Sequence, residues 1–327
     1  RALKKKKGSN LIYFGPGVHN LPNDTLFVPS GTTVYIDGGA RVYGNIFTEG
    51  AHDVNIFGRG EVHPDGRGAG VWVRRSKNVR IDGIVVSQLP IGQCDSVELT
   101  NVKSISYYGW GDGMDVFSSS NVILDGVFCR NSDDCAAVYA STQGFKGGSN
   151  NVLVKNATLW ADVAHPINIG GHGDPNGMDT VQNVTFRNID ILDQAEKQID
   201  YQGCLAINPG DNTLVRNITF ENIRIEDFRN GQLVNFRISF NPKYCVSTGR
   251  GIQNVLVKDV TYNGSGENLS IIAGYDENHK ISGIRFVNLV VNGRKITDDM
   301  PGKPKWYKTG DMAGIFVGEH VENLSFE

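Results

Sequence analysis

One short pattern recurs along the chain: a turn residue, usually asparagine, then residues that alternate apolar and polar. It occurs as Asp53-Val54-Asn55-Ile56-Phe57, Asn78-Val79-Arg80-Ile81-Asp82 and Asn121-Val122-Ile123-Leu124-Asp125. It returns at Asn151-Val152-Leu153-Val154, Asn183-Val184-Thr185-Phe186, Asn217-Ile218-Thr219-Phe220, Asn254-Val255-Leu256-Val257, Gly283-Ile284-Arg285-Phe286 and Asn323-Leu324-Ser325-Phe326. A period of two is the signature of a half-buried strand. The runs lie roughly 18 to 40 residues apart, too uneven for a helical array and suited to coils with loops of unequal length.

A second short strand usually follows each run, as in Asn188-Ile189-Asp190-Ile191-Leu192. No segment carries a sustained 3.6-residue apolar period. Asparagine suits the corners of such a chain because it tolerates the left-handed region and bonds nearby backbone groups. The expected fold is all-β, a right-handed parallel β-helix, a solenoid in which each coil contacts only its neighbours. A propeller requires a more even period, and a sandwich gives no reason for the repeated Asn-Val.

No linker or change of composition divides the chain, so residues 11–327 read as a single domain and 1–10 as an N-terminal arm. The basic run Lys4-Lys5-Lys6-Lys7 in that arm has no apolar segment behind it and reads as a solvated lead-in, not a signal peptide. A net charge of −3 gives no case for a nucleic-acid partner. No apolar run approaches the roughly 20 residues of a membrane span. The five cysteines form no CxxC or Cys/His metal pattern. Cys129 and Cys135 are close enough in sequence for one bridge, but buried small residues of a stacked core are the simpler reading.

The chemistry concentrates at Gly111-Asp112-Gly113-Met114-Asp115 and, about one coil later, Ser132-Asp133-Asp134-Cys135. Stacked coils would bring Asp112, Asp133 and Asp134 onto one surface, where like charges displace each other's pKa values. Two carboxyl groups so placed can cut a glycosidic bond, one protonating the leaving oxygen and the other activating water. A corner pair satisfied by backbone amides, or a calcium site, would use the same residues.

One coil further lies His165, in Ala164-His165-Pro166-Ile167-Asn168, and further along the same face Arg237; Asp115 flanks the acids. These read as substrate contacts, with His172 and Asp174 as weaker candidates. Sugar rings need flat apolar platforms, for which Trp110, Tyr139, Trp160 and Tyr201 are the candidates, with Tyr107 and Tyr108 nearby.

At these residues the chain resembles a family of β-helical inverting glycosidases. Gly111-Asp112-Gly113 and Ser132-Asp133-Asp134-Cys135 resemble the Asn-Thr-Asp and Asp-Asp motifs of family 28, the polygalacturonases. The Gly-His-Gly of that family becomes Ala164-His165-Pro166. Its Arg-Ile-Lys, which grips a uronate carboxylate, is expected at Gly203-Cys204-Leu205-Ala206-Ile207-Asn208, where no basic pair stands. Family 49, the dextranases and isopullulanase, is similar at Ala157-Thr158-Leu159-Trp160, Pro166-Ile167-Asn168-Ile169, Phe236-Arg237-Ile238 and Asn292-Gly293-Arg294-Lys295.

The resemblance implies Asp112, Asp133 and Asp134 as catalytic acids, with Asp133 the proton donor and Asp112 and Asp134 positioning and deprotonating water. It implies no cofactor and no metal, and an N-terminal β-sandwich missing from this chain. The expected function is an inverting hydrolase of a polysaccharide, first a neutral α-glucan such as dextran, alternatively a pectic chain. Carboxyl groups about 6.5–9.5 Å apart would leave room for the attacking water. A polysaccharide lyase and a non-catalytic glycan-binding solenoid are the remaining readings. A secreted or periplasmic bacterial protein is expected.

Overall fold

The computed structural model describes residues 10–266 and 268–327. The expected arm therefore lies outside the described residues, except that Asn10 already opens the first strand.

The chain winds as a right-handed parallel β-helix built from three ladders. The first stacks Thr32–Ile36, His52–Gly58, Lys77–Asp82, Asp95–Thr100 and Ser120–Asp125, then the opening halves of the longer strands from Ser149–Ala161 onward. The second runs through Glu61–His63, Val85–Val86, Lys103–Ile105 and Phe128–Asn131 to the second half of Ser149–Ala161. The third runs through Val71–Arg74, Ile91–Gly92, Val116–Phe117, Ala136–Tyr139, Ile167–Ile169, Leu205–Ile207 and Val234–Arg237. Helix is confined, among the described residues, to the 3-10 turn Thr309–Ala313.

Alternation places one face of every strand inward. Val79, Ile81, Val97, Leu99, Val122, Leu124, Val152 and Val154 line one wall of a continuous core, and Ile167, Ile169, Leu205 and Ile207 line another. All five cysteines are buried and unbridged, which answers the Cys129–Cys135 question.

The recurring asparagines sit where the backbone turns left-handed. Asn78, Asn121, Asn151, Asn183, Asn217, Asn254 and Asn323 all have φ between 53° and 57°. That conformation costs most L-residues about 1–2 kcal/mol, and asparagine recovers part of it by local bonding. Neighbouring corners also bond along the axis: Asn151 Nδ2 donates to Asn121 Oδ1 at 2.7 Å, and Asn217 Nδ2 to Asn183 Oδ1 at 3.1 Å. Three coils place another residue at the corner: Asp53 with φ 57°, Ser96 with φ 61° and Gly283 with φ 71°.

Candidate active site

The turns that lead from the second ladder to the third differ in length, from the short Ser132–Cys135 to the longer one before Leu205, and stack on one another. They carry Asp112, then Asp133 and Asp134, then His165, then Glu196, Lys197 and Tyr201, then Arg229. Their stacking is set by backbone bonds from coil to coil: Gly113 N–H to the Asp134 carbonyl at 2.7 Å, Cys135 N–H to the His165 carbonyl at 2.8 Å. Opposite them stand turns from the third ladder back to the first, with Thr142, Gln143, His172 and Tyr244. The floor is the outer face of the third ladder, which contributes Phe117, Tyr139 and Asn168. These walls enclose a cleft of about 560 Å³.

Two glycines let Asp112 approach the next coil. A Cβ at Gly113 would collide with the Cys135 carbonyl and lie 2.6 Å from Asn131 Oδ1, and one at Gly111 would strike Ser132 Oγ. Asn131 is fully buried and fastens the same turn from below, donating to Ser104 Oγ and Ser106 Oγ at 3.0 Å and to the Asp112 carbonyl at 3.1 Å.

Asp112, Asp133 and Asp134 each place a carboxylate oxygen within 4.8 Å of the others. Asp115 lies buried beside them, its Oδ1 accepting the Ala137 N–H at 3.3 Å. The four carboxyl groups do not share one environment. Asp134 accepts four bonds: the His165 N–H at 3.1 Å, His165 Nδ1 at 2.7 Å, the Tyr139 hydroxyl at 2.7 Å and Asn168 Nδ2 at 2.9 Å. Burial opposes its charge, but the His165 cation and these donors overcome that and draw the pKa down to about 2.

His165 faces a carboxylate at Nδ1 and the Tyr201 carbonyl at Nε2. Both partners are acceptors, so both ring nitrogens carry protons and the ring is a cation. Burial works against that charge, yet Asp134 carries the pKa up to about 9.

Asp133 has a different setting. Its Oδ1 accepts one bond, the Asp134 N–H at 3.0 Å. Burial first, then the adjacent Asp134 charge, push its pKa up to about 7. Burial raises Asp112 well above the usual carboxylate range, and Asp133 and Asp134 raise it further. Asp115 is raised by burial and then by Asp112. Groups this close titrate as a set, and protons belong to the cluster before they belong to a residue. Of the described residues, these three aspartates alone are grouped tightly enough to ligate an ion, but the four donors on Asp134 occupy the lone pairs that a cation would need.

Of the residues singled out from sequence, Asp112, Asp115, Asp133, Asp134, His165, Trp110, Tyr139 and Tyr201 line the cleft, together with His172. Trp160 and Arg237 do not. Trp160 points outward from its strand, under the Arg130 guanidinium at 4.2 Å. Arg237 pairs with Asp200 at 3.0 Å. Tyr108 is bound to the Gly68 carbonyl at 2.6 Å, and Asp174 to Lys146 at 3.3 Å. Asn168, Glu196, Lys197 and Arg229 also line the cleft and were not singled out. Asn168 was legible: in Ile167-Asn168-Ile169 it is the outward residue between two core isoleucines. The others lie in two successive turns whose paths no periodicity gives.

A sequence profile described as "Glycosyl hydrolases family 28" matches residues 69–300, more than half of the chain. The match falls on family 28 and corrects the nearer likeness to family 49 inferred from sequence. A polygalacturonase of Juniperus ashei is 26% identical over 216 residues, covering 63% of this chain and 39% of that protein. Further matched relatives are fungal, so the expected bacterial source finds no support among them. The chain spans about half the length of the curated relatives it matches.

In fold, the chain is similar to a family 28 exopolygalacturonase of Yersinia enterocolitica, with a TM-score of 0.72 over 98% of this chain and 73% of that one, at 14% identity. It is also similar to Dex49A of Penicillium minioluteum, with a TM-score of 0.62 at 15% identity, covering 90% of this chain and 60% of that one. The β-helix is thus common to both families named from sequence.

Proposed function

The chain belongs to family 28 of the glycosyl hydrolases, and from that membership and the acid cluster we propose that it hydrolyses a pectic, galacturonate-type polysaccharide. The observation that carries the reading is the convergence of Asp112, Asp133 and Asp134, oxygens within 4.8 Å of one another, on a single open cleft. Relatives named polygalacturonase, exopolygalacturonase and endo-xylogalacturonan hydrolase favour a pectic chain over the neutral α-glucan expected first. A polymer too large to enter a cell also favours a secreted enzyme.

Asp133 protonates the glycosidic oxygen. A pKa of about 7 keeps its proton available at mildly acidic pH and makes it a donor of suitable strength. Asp134 stays ionised, and its charge holds the proton on Asp133. Because its four acceptor sites are occupied, the removal of a proton from water falls to Asp112. Asp112 and Asp133 are both raised and exchange protons as a set, so the productive form is the one in which their shared proton sits on Asp133 and Asp112 is ionised, while buried Asp115 keeps its own. Water attacks the anomeric carbon as the bond to the leaving oxygen breaks, so the configuration inverts. Trp110, strongly exposed on the cleft, offers its ring to a sugar face.

The test is a panel of polygalacturonate, methyl-esterified pectin, xylogalacturonan and dextran, read by reducing ends, with proton NMR of fresh product. Reducing ends from a pectic polymer, with the anomer opposite to that of the bond cleaved, support the reading. Cleavage of dextran alone overturns the substrate, and a retained anomer overturns the mechanism.

A further inference from the structure

The cleft is acidic. Asp112, Asp115, Asp133, Asp134, Asp162 and Glu196 all line it. A sugar bearing a carboxylate would be repelled there unless a cation received it. The third-ladder strand offers none on its floor: Ala206 has no polar side chain, and Asn208 donates to Asn235 Oδ1 at 3.0 Å. Arg229 lines the cleft, but its guanidinium is held by Asp193 at 2.5 Å and by the Asp162 carbonyl at 3.0 Å. Lys243 lies outside the lining, against Gln198 Oε1 at 3.3 Å and over the Tyr244 ring at 4.7 Å.

Lys197 differs from both. It lines the cleft, is exposed, and forms no ion pair among the described residues. Its backbone is nonetheless fixed. Gln202 Nε2 donates to the Lys197 carbonyl at 3.1 Å, and the Gln198 N–H donates to Glu196 Oε1 at 2.6 Å. Two residues further back along the same turn, Ala195 bridges to Asn230. An anchored turn thus carries an unengaged ammonium to a cleft whose other cations, Arg229 and His165, are already paired with Asp193 and Asp134.

We propose that Lys197 is the specificity-determining cation of this cleft, its Nζ taking the carboxylate of a bound uronate. This rests on the pectic reading above and adds to it a turn residue in place of a basic pair on the floor strand. An ammonium presents three donors on a flexible stem, so it can follow a carboxylate whose position varies with the sugar's tilt. Such a charge-assisted contact is also screened by salt.

The experiment compares wild type with Lys197→Met on de-esterified and fully methyl-esterified polygalacturonate. The expected result is a tenfold or greater fall in the ratio of kcat/KM between acid and ester, carried by KM, with the wild-type preference shrinking towards the mutant's at high salt. A ratio unchanged by the substitution, while wild type cuts the acid polymer, overturns the role of Lys197 and leaves the pectic reading standing. Binding of tri-galacturonate by calorimetry, to Asp133→Asn protein with and without Lys197→Met, separates the two claims. Tenfold weaker binding on loss of Lys197, together with a wild-type enzyme that releases no reducing ends from any pectic polymer, supports Lys197 and overturns the hydrolytic reading. Equal binding, or none to either protein, overturns Lys197.

Discussion

His165 Nδ1 lies 2.7 Å from Asp134 Oδ1, and the His165 backbone N–H donates to the same oxygen at 3.1 Å. One residue thus contributes a charge and a backbone dipole to a carboxylate one coil away. With the Tyr201 carbonyl on Nε2, the ring is a buried cation whose work is to hold Asp134 ionised, which makes it a positioning residue.

Removing one partner of such a buried pair leaves the other charge uncompensated, at a cost of roughly 3–5 kcal/mol. His165→Gln should therefore lower the midpoint of urea unfolding by a corresponding amount. It should also raise the pKa of Asp134, so that the acid limb of the pH–rate profile moves upward. A variant with wild-type stability and an unmoved profile would show that the pair does not hold Asp134.

Asp133→Asn keeps the shape of the side chain and removes its transferable proton. General acid catalysis contributes about 10²–10⁴ in rate, so kcat should fall by that factor while KM changes little. An aryl glycoside whose leaving group needs no proton should lose much less. Equal losses on both substrates would mean that Asp133 is not the donor.

The solenoid was legible because its corners need a left-handed residue once per coil, and asparagine marks that position at Asn78, Asn121, Asn151 and on to Asn323. Ser96 hid one coil because serine in that conformation leaves no trace in composition. The acid cluster was legible for a related reason: once the coils were in place, Asp112 and Asp133 had to be neighbours. Stacking gave neighbourhood but not direction. Trp160 and Arg237 were near in coil order, yet each found a partner, Arg130 and Asp200, away from the cleft. The saturation of Asp134 was equally hidden, since it depends on Tyr139, His165 and Asn168 meeting two oxygens from different coils.

Gly113 sits where the Asp112 turn presses on the next coil, with no room for a methyl group between Asn131 and the Cys135 carbonyl. Gly113→Ala must push the turn outward, carrying Asp112 away from Asp133. Overpacking of this kind costs about 1–3 kcal/mol. The expected result is a lower melting temperature together with a kcat loss larger than that of a surface glycine such as Gly50, where a Cβ meets nothing within 4 Å. The φ of +61° at Gly50 makes it a demanding control for stability, and neither it nor its chain neighbours line the cleft. A Gly113→Ala enzyme with full kcat would break the link between this close approach and the placing of Asp112.

The pH dependence of stability follows from three folded-state values. Asp134 is lowered from 3.8 to about 2, so its contribution is present above pH 3.8 and lost as pH falls through 2. Asp133 is raised from 3.8 to about 7, so the folded protein holds the extra proton and stability declines as pH rises between those values. His165 is raised from 6.5 to about 9, so its stabilisation is complete below pH 6.5 and disappears as pH rises through 9. Asp112 and Asp115, also raised, act in the same direction as Asp133. The melting temperature should therefore be highest in mildly acidic solution and fall steadily towards pH 9. Activity should fall past pH 7, as Asp133 loses its proton, while the protein is still folded. Asp133→Asn should flatten the decline below pH 7, and His165→Gln the decline between 6.5 and 9. Parallel melting curves for all three proteins across that range would place the linked protons elsewhere than in this cluster.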